Sequence, residues 1–155
     1  LSAITLVDRP FAGPQQAVSY RLKETEAEEG APLTRMLPRA LLIPPGVPEF
    51  PTRARTLPAG RHVLEGRAWS GWAPIATVEV STDGGRAWRA AELDRDVDSP
   101  WAWAAFRAEW DAAPGRHVLR CRATDEAGNA QPDAPAWNLG GYANNAAQRL
   151  EVTVV

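Results

Sequence analysis

One cysteine, two histidines and no long apolar run are all that this 155-residue chain holds of several kinds of chemistry, and each shortage excludes something. A lone thiol, Cys121, cannot close a disulfide within the chain, and it has no partners at the spacing of a zinc or redox site. In an extended strand its neighbours Arg120 and Arg122 point to the opposite face, so Cys121 reads as a buried, inert core residue. His62 and His117 have no further ligands nearby and read as strand-start residues bonded to backbone or solvent. No apolar stretch approaches the roughly 20 residues of a membrane helix, so no membrane partner is expected. Charge is nearly balanced, 17 basic against 19 acidic residues for a net of −2, and no nucleic-acid partner is expected without a clustered basic face. Nucleophile–base pairs, phosphate loops and paired carboxylates are missing too; the chain shows no catalytic, cofactor-binding or metal-ligating set of its own. The opening, Leu1-Ser2-Ala3-Ile4-Thr5, has no initiator methionine or signal-peptide pattern and suggests an excised piece.

A helical stripe is also missing, and a period of two takes its place. Ala76, Val78 and Val80 alternate with Thr77, Glu79 and Ser81; Leu119, Cys121 and Ala123 alternate with Arg120 and Arg122; Leu150, Val152 and Val154 alternate with Glu151 and Thr153. Each is a strand with one buried and one solvated face. Turn residues separate them at Pro44-Pro45-Gly46, Pro58-Ala59-Gly60, Asp83-Gly84-Gly85, Pro114-Gly115 and Ala127-Gly128-Asn129. This grammar predicts an immunoglobulin-like antiparallel β-sandwich of about seven strands over residues 39–155. Residues 1–38 form an irregular N-terminal extension, with a short strand-like phrase at Ala3–Val7 and an acidic, solvated run from Glu24 to Glu29. One internal echo sharpens the prediction. Gly60-Arg61-His62-Val63-Leu64-Glu65-Gly66-Arg67-Ala68 matches Gly115-Arg116-His117-Val118-Leu119-Arg120-Cys121-Arg122-Ala123 at seven of nine positions. As second and sixth strands, these would place Gly66 and Cys121 where antibody domains carry their disulfide.

Three groups of residues stand out. Ser81, Asp83, Gly85 and Trp88 have the spacing of an Asp-box hairpin, with the aspartate bonded to turn amides and the indole packed beneath. Propellers repeat that motif; a single copy reads as a structural hairpin. The seven tryptophans suggest a second role. In Trp101-Ala102-Trp103-Ala104-Ala105-Phe106 both alternating faces are apolar, so Trp101, Trp103 and Phe106 are candidates for a covered interface with a second subunit or domain. Asp125-Glu126-Ala127-Gly128-Asn129 lacks the alternating ligands and closing glutamate of a calcium loop and reads as a turn.

The ordered phrases Gly66-Arg67-Ala68-Trp69-Ser70-Gly71, Val78 to Trp88, Trp101-Ala102-Trp103, Gln131-Pro132-Asp133, Trp137-Asn138-Leu139-Gly140-Gly141-Tyr142 and Asn144-Asn145-Ala146-Ala147-Gln148-Arg149 carry a resemblance. Together they resemble the C-terminal dimerisation domain of the sulfite oxidase family, the molybdenum–pterin oxidoreductases. Asp8-Arg9-Pro10-Phe11 and Tyr20-Arg21 resemble the last segment of that family's cofactor domain. The resemblance implies a homodimer and an upstream molybdopterin-binding domain that holds the cofactor through its own cysteine. It also implies a periplasmic setting in bacteria, and a loop at 70–75 that props the active-site mouth, with Arg67 and Trp72 facing it. Animal and plant sulfite oxidases follow Ala-Trp-Ser with a glycine run ending in a substrate-binding arginine; here Ala68-Trp69-Ser70-Gly71 continues as Trp72-Ala73-Pro74-Ile75. The rival reading is a free-standing sandwich that binds a glycan or a protein partner through an exposed tryptophan row.

Overall fold

Alternation along the chain becomes two layers of extended backbone. A computed structural model describes residues 2–95 and 98–155; Leu1, where the opening phrase begins, lies outside them. Two compact units are present, Leu1–Arg35 with Ala136–Asn144, and Met36–Pro135 with Asn145–Val155.

The first unit has little regular structure: a π-helical turn Gln15–Ser19 and a two-stranded antiparallel ladder of β1 (Arg21–Leu22) and β2 (Ala31–Pro32). The acidic run folds on itself between those strands. Glu28 accepts from the Glu24 amide and the Thr25 hydroxyl, and Arg21 pairs with Glu29 at 3.0 Å. The strand expected at Ala3–Val7 does not form. A strand needs a neighbour to pair with, and Ile4, Leu6 and Val7 are exposed. Within the same unit Asn138 closes its own loop, accepting from the Tyr142 amide and donating to the Tyr142 carbonyl.

The second unit is the immunoglobulin-like sandwich. In chain order its strands are β3 (Arg39–Leu42), β4 (Val47–Pro48), β5 (Arg55–Leu57), β6 (Gly60–Trp69), β7 (Ile75–Ser81), β8 (Arg89–Ala90), β9 (Glu92–Asp94), β10 (Ala104–Ala112), β11 (Gly115–Asp125) and β12 (Arg149–Val154). One sheet runs β3-β6-β10-β9, the other β4-β5-β12-β11-β7-β8. All pairs are antiparallel except β5 with β12. Among the described residues ten strands thus form the two layers, four in one and six in the other. Strands β3, β6, β10 and β9 over β7, β11 and β12 match the four-on-three division of a constant-type immunoglobulin domain, and the short β4, β5 and β8 extend the second sheet at its edges.

Inward residues alternate with outward ones, as the period requires. Leu64, Phe106, Trp110, Leu119, Cys121, Val152 and Val154 are buried between the sheets. One expected face is shifted. Ladder partners step from Thr124↔Thr77 to Asp125↔Ile75, so Ala76 is an extra residue on β7 and Ile75 takes the buried position in its place. A bulge lets one strand insert a residue without slipping the whole register.

Candidate functional site

The β7–β8 hairpin is organised around Asp83. Its Oδ1 accepts from the amides of Arg86 (2.9 Å) and Ala87 (3.0 Å) and from the Ser81 hydroxyl (2.8 Å), while the Gly85 amide donates to Ser81 Oγ (2.8 Å). The Ala87 amide, the Ser81 hydroxyl and the Arg86 amide together hold the Asp83 carboxyl below its ordinary range. Trp88 is half-buried, and the Arg122 guanidinium lies 4.2 Å from its ring centre while pairing with Glu79 at 2.7 Å. The Gly84 amide donates to the Val118 carbonyl at 2.9 Å, which staples the turn to β11.

The repeated Gly-Arg-His phrase folds twice into the same local form. Gly60 and Gly115 take φ of 129° and 133°, a region closed to side chains bearing a Cβ. His62 Nε2 donates to the Pro58 carbonyl and His117 Nε2 to the Ala113 carbonyl, each at 2.8 Å. Both rings then approach Trp110, with centroids 6.2 and 5.1 Å away. The two histidines are thus committed to backbone and indole contacts.

A buried carboxylate governs the other end of the sandwich. Asp125, 2% exposed, accepts from Ser70 Oγ (2.8 Å), the Ala127 and Asn129 amides (3.1 and 2.9 Å) and the Asn129 side chain (3.1 and 3.0 Å). Burial works to raise its pKa, but the bonds from Asn129, Ser70 and the Asn129 and Ala127 amides outweigh it and leave the group below its ordinary value. Through Ser70 this centre holds loop 70–75. Ser70 Oγ accepts the Trp72 amide at 3.1 Å, the Glu126 amide donates to the Pro74 carbonyl, and Arg95 bridges the Ile75 carbonyl (2.7 Å) and Glu126 (2.6 Å). Trp72 stands in that loop, 45% exposed. Arg67 does not belong to the loop. It lies on β6, with Nη1 donating to the Gly66 carbonyl at 2.9 Å, beside a shallow cleft shared with Glu65, Glu92 and Asp94.

The tryptophan candidates separate. Trp101 and Trp103 are 64% and 65% exposed, and Trp103 stacks on Trp69 with centroids 5.2 Å apart. Phe106 is a correction. At 2% exposed it fills the sandwich's own core over Gly66, because β10 turns that face inward from Ala104 onward. An interface role is incompatible with that position.

Cys121 is fully buried, and burial pushes its thiol up to about 12. Since the thiolate is the reactive form, native protein at pH 8 is expected to resist a disulfide reagent and to release one equivalent of thiol on unfolding in guanidinium; fast labelling of folded protein would contradict the assignment. Among the described residues no group of three or more His, Cys, Asp or Glu is placed to hold a metal ion, and no helix is long and apolar enough to cross a membrane.

A family model for the Mo-co oxidoreductase dimerisation domain matches residues 50–155. The chain belongs to that family. Human mitochondrial sulfite oxidase is 35% identical over 154 residues, which cover 94% of this chain and 27% of the human protein. The nitrate reductase [NAD(P)H] of Hordeum vulgare is 32% identical over 101 residues, 60% of this chain and 11% of that protein. The crystal structure of the sulfane dehydrogenase SoxCD from Paracoccus pantotrophus superposes with a TM-score of 0.75 at 27% identity, covering 94% of this chain and 38% of that one. The chain therefore spans about a quarter of the length of the human relative.

Within this Mo-co dimerisation domain, the phrases after residue 130 do something that sequence alone did not disclose. Strand β3 pairs with β6 on one edge only. On the other, the Ala40 amide donates to Gln131 Oε1 and the Leu42 amide to Gln148 Oε1, both at 2.8 Å, while Asn145 Nδ2 donates to the Pro38 carbonyl. Gln131 also bonds the Ala123 amide and the Ala146 carbonyl, tying β3 to the opposite sheet. Side-chain amides thus occupy an edge that would otherwise template pairing with another chain. Their signal was the density of Gln and Asn in those phrases; which backbone they would meet depends on contacts distant in sequence.

Proposed function

We propose that this sandwich joins two copies of a molybdenum-cofactor oxidoreductase through the Trp101–Trp103 face. In the same proposal it steadies the active-site mouth of an upstream molybdopterin-binding domain with loop 70–75, and holds no catalytic centre itself. The supporting observation is the pair of exposed indoles, Trp101 and Trp103, the second of them stacked on Trp69. Large aromatic surfaces left in water, here on the turn that leads into β10, mark an interaction site, and each indole removes about 150–250 Å² from water when covered. A stable pairing needs about 1,200–2,000 Å² in total, so the two rings act as anchors at the centre of a wider patch. Two-fold symmetry sets the same patch against itself.

Loop 70–75 suits a buttress because its backbone is held at both ends by Asp125, Glu126 and Arg95. Residues 1–38 are proposed as the tail of the upstream domain, since Ile4, Leu6, Val7 and Phe11 lie exposed and call for a covering layer. A place for Arg67 at the active-site mouth is not included. Three carboxylates, Glu65, Glu92 and Asp94, share its cleft with Arg67 and Arg107, so the net charge there does not favour an anion.

The test is sedimentation velocity on the full-length protein. Wild type is expected to run as a dimer at about 10 μM, and Trp101→Glu/Trp103→Glu as a folded monomer, weakened at least a hundredfold in association by burying two charges. A variant that stays dimeric refutes the assigned face. A monomeric wild type whose tryptophan fluorescence is quenched by added sugar would favour the binding-module reading.

A further inference from the structure

The two copies of the Gly-Arg-His phrase provide an internal comparison. Arg61, in the first copy, is paired with Asp111 at 3.3 Å. Arg116, in the second, has the same local backbone but forms no ion pair among the described residues. It lines a cleft of about 590 Å³ between the β7–β8 hairpin and the β10–β11 turn, together with Arg86, Arg89, His117, Asp83 and Asp111. Arg89 forms no ion pair among the described residues, and Arg86 turns back on its own loop, its Nε donating to the Asp83 carbonyl at 3.1 Å with its charge beside the Asp83 carboxylate. Both carboxylates are already engaged, Asp111 by Arg61 and Asp83 by two amides and a hydroxyl. Among the described residues, the Arg89 and Arg116 guanidinium groups are left without a carboxylate partner, and Arg86 adds a third positive charge to the wall.

We propose that this cleft binds a small, multiply charged oxyanion of the phosphate-ester class. A guanidinium presents a planar fork that meets two oxygens of a tetrahedral anion at once, and several forks around one cavity select for anions carrying more than one charge. The cavity lies within the roughly 300–1,000 Å³ range of small-ligand sites and exceeds a bare phosphate. Its walls are tied together. Asp83 bridges to Val118 and the Gly84 amide bonds the Val118 carbonyl, so the hairpin bearing Arg86 and Arg89 is fixed to the strand bearing Arg116. The site uses neither Trp101, Trp103 nor loop 70–75, and stands or falls separately from the dimer proposal.

The probe is inorganic pyrophosphate, titrated calorimetrically into the full-length protein. Saturable binding is expected, at least about tenfold weaker when salt rises from about 20 to 300 mM. Arg89→Ser/Arg116→Ser is expected to weaken it at least about tenfold, and Arg89→Lys/Arg116→Lys, which keeps the charge and loses the forks, by less. Arg107→Ser, which removes an arginine paired with Glu92 elsewhere, is expected to bind as wild type. Circular dichroism of each variant verifies its fold. Absence of binding at about 10 mM pyrophosphate, equal binding of sulfate, or equal loss in the Arg107 variant would overturn the assignment. A glutamate-rich peptide binding in place of pyrophosphate would overturn it as well.

Discussion

Replacing Gly66 by alanine is expected to cost the sandwich about 3 kcal/mol, a fall of roughly 6–12 °C in its unfolding midpoint. Gly66 faces inward on β6, opposite Phe106 on β10 and Leu42 on β3. A Cβ built there runs into the Phe106 ring and the Leu41 carbonyl oxygen. The ring has rotamers to spare; the carbonyl belongs to an adjacent strand and can move only with the sheet. The double variant Gly66→Ala/Phe106→Leu is therefore expected to recover part of the loss and not all of it, measured by guanidinium unfolding. Full stability in Gly66→Ala alone would mean that β3 and β6 are spaced more widely than described. The same clash leaves no room for a second cysteine at Gly66: Phe106 occupies the space such a side chain would enter.

Asp125→Asn is expected to lose about 3 kcal/mol at neutral pH, since an amide nitrogen then faces donors that the carboxylate oxygens now accept. The pH dependence gives a sharper reading. The folded-state pKa of Asp125 is lowered, so its contribution is complete above the ordinary carboxylate value and is lost as pH falls through the lowered folded one. Guanidinium midpoints of wild type and Asp125→Asn should differ by a constant amount from about pH 5 to 8 and converge below about pH 4. A gap that is unchanged at pH 3 would mean that the carboxylate is not the stabilising species. Because Ser70 depends on this group, the variant should also loosen loop 70–75, visible as faster amide exchange at Trp72.

Much of this was legible before any coordinates. Alternation at Leu119-Cys121-Ala123 and at Val152-Val154 set which residues are inward, because a strand's side-chain period is two whatever it pairs with. The Gly-Arg-His echo marked two turn-and-strand units, and both take the same form, since a glycine with positive φ is a local requirement. Legibility failed where the answer depends on a distant partner. Ala3–Val7 has strand composition and no strand to pair with. Phe106 shares its phrase with Trp101 and Trp103, yet β10 begins between them and turns the phenyl into the core. Asp125 read as an ordinary turn residue, and its burial follows from Ser70 approaching it across 55 residues of chain.

By itself, then, the sequence determined the all-β class, the inward faces, the turn chemistry and the family, because these rest on local periodicity and on the order of short phrases. Tertiary structure alone decided which amide side chains seal the edge of β3, which carboxylate anchors loop 70–75, and which arginines gather around the cleft beside the β7–β8 hairpin. Those outcomes are sums over groups remote in the chain, and only the folded geometry brings the groups within bonding distance.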